Sequence, residues 1–257
     1  MAQPAKKSAE LITRFGQMLE NREPIDEFTY RSVLKNFQYS TDPNDVCAVG
    51  FAYALNGEDD LAYQHFSKHI DLGSLTIATN FAAFLFKRFH YNKMNEVIFA
   101  LSDRFGGRML TVLAGTEAYR IGSIDLVEKH LTRHIAILND GDDRDGARLY
   151  MKELVSGLNE CYEAKVCTPA QLKCLGKLTN DILEKHKIVP GSVNIYPSYG
   201  GDYLVETQNI EPKKIVELNF ELAELVCGLP EMDDCEMVAR FTSQRVNVKG
   251  DTYDYKW

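Results

Sequence analysis

Tryptophan is scarce in this chain, and cysteine, basic charge and apolar residues are never concentrated. Each shortage excludes a class of protein. The single Trp among 257 residues is the last one, Trp257, and it follows Tyr253 and Tyr255. A chain end is a poor place for a core indole. These three aromatics therefore read as anchors that dock on the C-terminal region or on a partner. The six cysteines form no C-x-x-C pair, and Cys161, Cys167 and Cys174 are separated by five and six residues. That is not a zinc-ribbon spacing, so reduced thiols are expected. Net charge is −8, and the nearest approaches to a basic run are the pairs Lys6-Lys7 and Lys213-Lys214. Affinity for phosphate backbones comes from clustered Lys and Arg, so no nucleic-acid partner is expected.

The most apolar stretch is Phe81 to Phe86, which Lys87-Arg88 ends. It falls far short of the roughly 20 apolar residues that cross a bilayer, and it reads as a buried helix. The opening "MAQPAKKSAELITRFGQ" has no apolar signal-peptide core, so a cytoplasmic protein is expected. Catalytic signatures are missing as well. There is no G-x-S-x-G, no P-loop spacing and no H-E-x-x-H, and Gly106-Gly107 ends a helix where a phosphate loop would open one. The acidic "DGDDRDG" lacks the calcium-loop register, because the twelfth position from Asp140 is Met151. No cofactor is implied, and a non-enzymatic protein is expected.

With 45% hydrophobic and 26% charged residues, the composition is that of an ordinary globular protein. Helical periodicity dominates the first three-quarters. Leu11, Ile12, Phe15 and Leu19 make one helix face, and Phe28, Val33, Leu34 and Phe37 make the next. Asp42-Pro43 opens a helix that Gly57 closes. Further helices are expected over about 59–71, 75–91, 93–105, 109–121, 124–138, 147–164 and 168–186. The last opens on "TPAQ", a capping box. Beyond Ile188 the texture changes. "SVNIYPSY" and "DYLVETQNI" read as strands joined at Gly200-Gly201, with Pro197 marking an edge and Tyr196, Tyr199 and Tyr203 crowding the hairpin. "EPKKIVELNFELAELVCG" is an amphipathic helix, and "EMVARFTSQRVNV" is a third strand. The expected fold is mainly α: an antiparallel helix-hairpin array over 1–188, followed by a small α+β (β-β-α-β) module over 189–257.

One stretch occurs twice. "NGEDDLAYQHFSKHI" (Asn56 to Ile70) aligns without a gap with "IGSIDLVEKHLTRHI" (Ile121 to Ile135), and six of fifteen positions are identical. The copies lie 65 residues apart with room for two helices between them, which implies a unit of about 33 residues. Gly50, Tyr53, Gly57, Ala62 and Phe66 in one copy correspond to Gly115, Ala118, Gly122, Val127 and Leu131 in the other. On these residues the region 43–139 resembles tetratricopeptide (TPR) repeats. That family wants a small residue where paired helices touch, a glycine at the turn, and a large residue on the second helix. In the middle unit, 77–105, Asn92, Val97 and Leu101 match the later spacings. The chain departs from the family in lacking the usual Trp/Leu start, in having Ser74 or Asn139 for the closing proline, and in placing His69 or His134 at a small-residue position. The resemblance implies a groove that binds a protein partner as a peptide or helix, and so an adaptor, scaffold or chaperone.

Candidate site residues follow from this. Asn80, Arg88 and Arg120 are polar members of apolar helices and are read, with Tyr253, Tyr255 and Trp257, as partner-binding. A homo-oligomer is also compatible. Two alternatives remain open. His65/His69 and His130/His134 sit at i, i+4, which can bring two nitrogens to one metal and would make a metal-binding sensor. An enzyme would hold its site in the C-terminal module, around Asp202, Glu206 and Arg245.

Overall fold

The computed structural model describes residues 7–197 and 200–243. Among these it has ten α-helices and then a three-stranded sheet that encloses an eleventh, so the chain is mainly α with a C-terminal α+β part. The residues group into two compact units. One runs to Met94 and includes Asp103–Phe105, and the other comprises Asn95–Ser102 and everything from Gly106 onward.

The first unit holds α1 (Lys7–Asn21), α2 (Glu27–Phe37), α3 (Pro43–Leu55), α4 (Asp59–His69), α5 (Leu75–Lys87) and the start of α6 (Tyr91–Phe105). Helix α3 is its axis and packs against α1, α2, α4 and α5. The sequence supports that place: Val46 to Ala52 is an unbroken run of small and apolar residues, all buried. A helix without a polar face is stable only when covered on every side. Asp42 accepts a hydrogen bond from the Asn44 N–H (3.0 Å), with Pro43 in the first turn. Phe66 stacks on Phe81 and Phe84, with ring centroids 5.5 and 5.7 Å away.

The second unit continues with α7 (Arg108–Arg120), α8 (Ile124–Ile137), α9 (Arg144–Glu163), α10 (Pro169–His186), β1 (Pro190–Tyr196), β2 (Asp202–Thr207), α11 (Pro212–Cys227) and β3 (Val238–Ser243). The expected capping box is present, with Thr168 N–H donating to Gln171 Oε1 (2.8 Å). Gly200 and Gly201 turn the hairpin at φ +95° and +92°, values open to glycine. Strand order is β1-β2-β3. β1 is antiparallel to β2, and β3 returns parallel to β2 after the α11 crossover. Edge strand β3 is shielded at its centre: the Asn219 side chain accepts from Phe241 N–H (2.6 Å) and donates to Phe241 O (3.0 Å). An occupied edge is a poor template for a foreign strand.

The two aligned stretches make the same contacts. A Cβ added to Gly50 would lie 2.4 Å from the Phe66 ring, and one added to Gly115 would lie 2.5 Å from Leu131. The same small-against-large contact therefore closes α3 on α4 and α7 on α8. Both first helices end alike. Gly57 (φ +80°) donates to Ala54 O and Glu58 to Tyr53 O, while Gly122 (φ +71°) donates to Tyr119 O and Ser123 to Ala118 O. This is a Schellman cap, whose left-handed residue is usually glycine.

In the middle unit the turn falls at Phe89, and Asn92 lies inside α6. Phe89 (φ +63°) donates to Phe86 O and His90 to Leu85 O, which is the same cap. The residues equivalent to Ala62 and Phe66 are thus Met94 and Ile98, both fully buried, in place of Val97 and Leu101. The turn lies three residues earlier than the sequence spacing predicts, because no glycine marks it. α1, α9 and α10 end in the same cap, at Arg22 (φ +60°), Lys165 (φ +59°) and Lys187 (φ +53°). An L-residue in this conformation costs about 1–2 kcal/mol. Lys165 is exposed, so Lys165→Gly should raise unfolding stability by about 1 kcal/mol in urea titration, and an unchanged or lowered midpoint would contradict the strain.

Candidate functional site

The histidine pairs are held by local bonds. His65 Nε2 donates to Val46 O (3.0 Å), and His69 Nδ1 donates to His65 O (2.8 Å), with the two rings 4.4 Å apart. In the other copy His130 and His134 are both buried. His130 Nδ1 lies 2.9 Å from Ser102 Oγ, and His134 Nδ1 lies 3.1 Å from Thr111 Oγ1. Val46 and Thr111 are equivalent positions of the repeat. A different histidine of each pair thus reaches the same place on the first helix. Among the described residues no group of three or more His, Cys, Asp or Glu side chains is placed to hold a metal ion. Burial, helped by His69, pushes His65 down to about 4, and burial also lowers His134.

The polar residues read as partner-binding are engaged within the fold. Asn80 is half-buried and donates to Thr76 O (2.8 Å). Arg88 grips both oxygens of Asp59 (2.9 and 3.1 Å), and His90 lies 3.1 Å from the same carboxylate. Burial opposes ionisation of Asp59, but bonds from His90 and Arg88 hold its carboxyl below the ordinary value. Arg88 therefore fastens the end of α5 to the start of α4. Arg120 is a correction: it faces the interior of the second unit and is 6% exposed. Tyr253, Tyr255, Trp257 and Arg245 lie outside the described residues, as does Tyr199. Asp202 pairs with Arg240 (3.1 Å), Glu206 is half-buried, Tyr196 is exposed and Tyr203 is fully buried.

Arg120 belongs to a buried cluster. Its Nη1 lies 3.2 Å from Glu117 Oε1, and its Nη2 donates to Asn180 Oδ1 at 2.6 Å. Around it two tyrosines join α7 to the sheet. Tyr203 Oη donates to Arg120 O (2.9 Å), and Tyr119 Oη accepts from Ile195 N–H (2.9 Å). Burial raises both phenols well above their ordinary range. Helix α10 comes close because position 176 is glycine; a Cβ there would meet Arg120 O at 2.8 Å. Glu117 Oε2 and Asn180 Nδ2 are buried with no hydrogen-bond partner among the described residues. Missing partners of this kind are costly in a core.

The repeat alignment shows what is unusual. Glu117 and Arg120 stand where the first copy has Ala52 and Leu55, both buried. A buried ion pair thus stands in α7 where α3 has ordinary core residues. The signal was in the sequence, as two charged residues three apart at apolar positions of a duplicated helix. Asn180 and Tyr203 carried no such signal.

No cysteine offers a ready nucleophile inside. Burial pushes Cys47 and Cys167 up to about 12 and Cys161 to about 11. Two surfaces do stand open. On and just beyond α2, Phe28 is 83% and Tyr39 is 90% exposed, with Arg31 and Lys35 between them at helical spacing. On α11, Phe220 is 70% exposed. No helix among the described residues is long and apolar enough to cross a membrane. No family model, curated protein or solved structure matches this chain.

Removing one member of the buried pair strands the other. Glu117→Ala should cost roughly 3–5 kcal/mol, whereas Glu117→Ala with Arg120→Leu, the residues of the first copy, should recover more than half of that loss. Urea unfolding of the singles and the double checks this, and additive losses would refute it. Acid should also act through His65. Its folded-state value of about 4 lies below the ordinary 6.5, so the unfolded chain takes the proton first. Stability is then lost as pH falls from 6.5 towards 4, by at most roughly 3 kcal/mol from this group. Melting curves across that range should fall less steeply for His65→Gln than for the parent chain.

Proposed function

We propose that this chain is a non-enzymatic adaptor or scaffold, built on TPR-like hairpins, that binds a protein partner. The observation that carries the reading is the reproduced helix pair. Gly50 against Phe66 and Gly115 against Leu131 are the same contact made twice, and both first helices end in the same cap. Repeating one hairpin multiplies helical surface without building a catalytic pocket, and repeat proteins commonly use such surface for recognition. Six free thiols fit a reducing compartment such as the cytoplasm. The reading calls for no cofactor.

The recognition surface we assign first is the outer face of α2. Exposed Phe28 and Tyr39 flank Arg31 and Lys35 there, and aromatics with arginine are the residue types that dominate binding energy at interfaces. The test begins with affinity capture by the full chain, followed by calorimetry with the purified captured protein. A stoichiometric complex is expected. Phe28→Ala and Tyr39→Ala should each weaken it by roughly tenfold, a hot-spot-sized effect, with an unchanged circular dichroism spectrum. Turnover of a small molecule by the purified chain, with no stoichiometric protein partner, would overturn the reading.

A further inference from the structure

Helix α11 has two apolar faces, and only one of them meets the sheet. Leu218 and Leu222 are buried. On another side Val216 (53% exposed) and Phe220 (70%) are joined by exposed Ala223 and Cys227. Successive steps of four, three and four residues align these four in one stripe along the helix. A contiguous apolar stripe, unlike scattered exposed apolar residues, marks a surface that something covers. Glu224 and Glu217 are exposed alongside it, Glu217 lying 3.2 Å from Lys214, with Lys213 exposed in the first turn.

We infer that this stripe is the docking site of the chain's own C-terminal segment, with Tyr253, Tyr255 and Trp257 as the anchors. The three aromatics alternate with Asp254 and Lys256. In an extended chain that alternation places all three rings on one face and both charges on the other. From Tyr253 to Trp257 such a segment measures about 13 Å, and the stripe from Val216 to Cys227 measures about 16 Å along the helix axis.

The connection permits it. β3 ends at Ser243, paired with Thr207, and α11 begins at Pro212, only five residues past Thr207. The chain therefore leaves the sheet beside the first turn of α11. The ten residues from Ser243 to Tyr253 reach up to about 33 Å, more than the roughly 24 Å length of the helix. Charge agrees as well. Residues 244–257 contain Arg245, Lys249 and Lys256 against Asp251 and Asp254, a net positive segment in a chain of net charge −8. This assignment is independent of the partner surface on α2.

The single tryptophan makes the test direct, since all indole emission comes from Trp257. In the full chain that emission should be blue-shifted and several-fold less quenched by acrylamide than free N-acetyl-tryptophanamide, at every protein concentration. Phe220→Asp should shift it to the red and raise quenching several-fold, with circular dichroism unchanged, and Val216→Asp should do the same. Phe28→Asp, on the other unit, should leave it unaltered. Three results would each overturn the assignment. One is a parent chain whose indole is as quenchable as the free compound, which leaves the stripe to an outside partner. Another is a protected indole indifferent to both α11 substitutions. The last is protection that appears only with a dimer in light scattering and vanishes when Phe220→Asp makes a monomer, which assigns the stripe to a second copy.

Discussion

The approach of one helix to another at a glycine underlies two helix pairs of this chain, α3 with α4 and α7 with α8. At Gly50 and Gly115 the backbone of a first helix is bare, and Phe66 or Leu131 fills the space where a methyl group would stand. Close approach buries more of each hairpin than side-chain contact alone allows, and dense packing is what turns apolar composition into stability. The surroundings of α3 follow from this. Being apolar on every side, it has to be covered by four neighbours, and the first unit is arranged to cover it.

The same economy governs the turns. Six helices, α1, α3, α5, α7, α9 and α10, end in one hydrogen-bond pattern with a left-handed residue, yet only two of the six residues are glycine. Arg22, Phe89, Lys165 and Lys187 adopt the conformation against their own preference. The cap bonds and the packing of the next helix outweigh a local cost of about 1–2 kcal/mol. Where tertiary packing dictates a turn, the residue there need not advertise it.

Divergence between copies is most informative at Glu117 and Arg120. They align with buried Ala52 and Leu55 of α3, and a charged pair at such positions requires a neighbour able to receive it. Asn180 on α10 accepts from the guanidinium, and the hydroxyl of Tyr203 on β2 binds the carbonyl of Arg120. A buried ion pair adds little stability over apolar residues of the same size, but an arrangement that separates its partners leaves a charge buried and unpaired, at high cost. The polar cluster thus fixes which surface of the hairpin the strands occupy.

By itself the sequence determined the helix count, the β-β-α-β order and the caps at Asp42 and Thr168. All of these rest on local periodicity and on residues whose backbone preferences are strong. It also flagged Arg88 and Arg120 as odd members of apolar helices. It could not say that Arg88 clasps Asp59 or that Arg120 is buried, because each fate depends on a residue 29 or 60 positions away. The middle turn was misread for a related reason. A phenylalanine held left-handed by its neighbours looks, in sequence, like any other helical residue. Only tertiary structure decided which polar side chains became internal bonds and which apolar ones, Phe28, Tyr39 and Phe220, were left outside. Burial is a property of neighbours brought together by the fold, and periodicity along one helix cannot specify them.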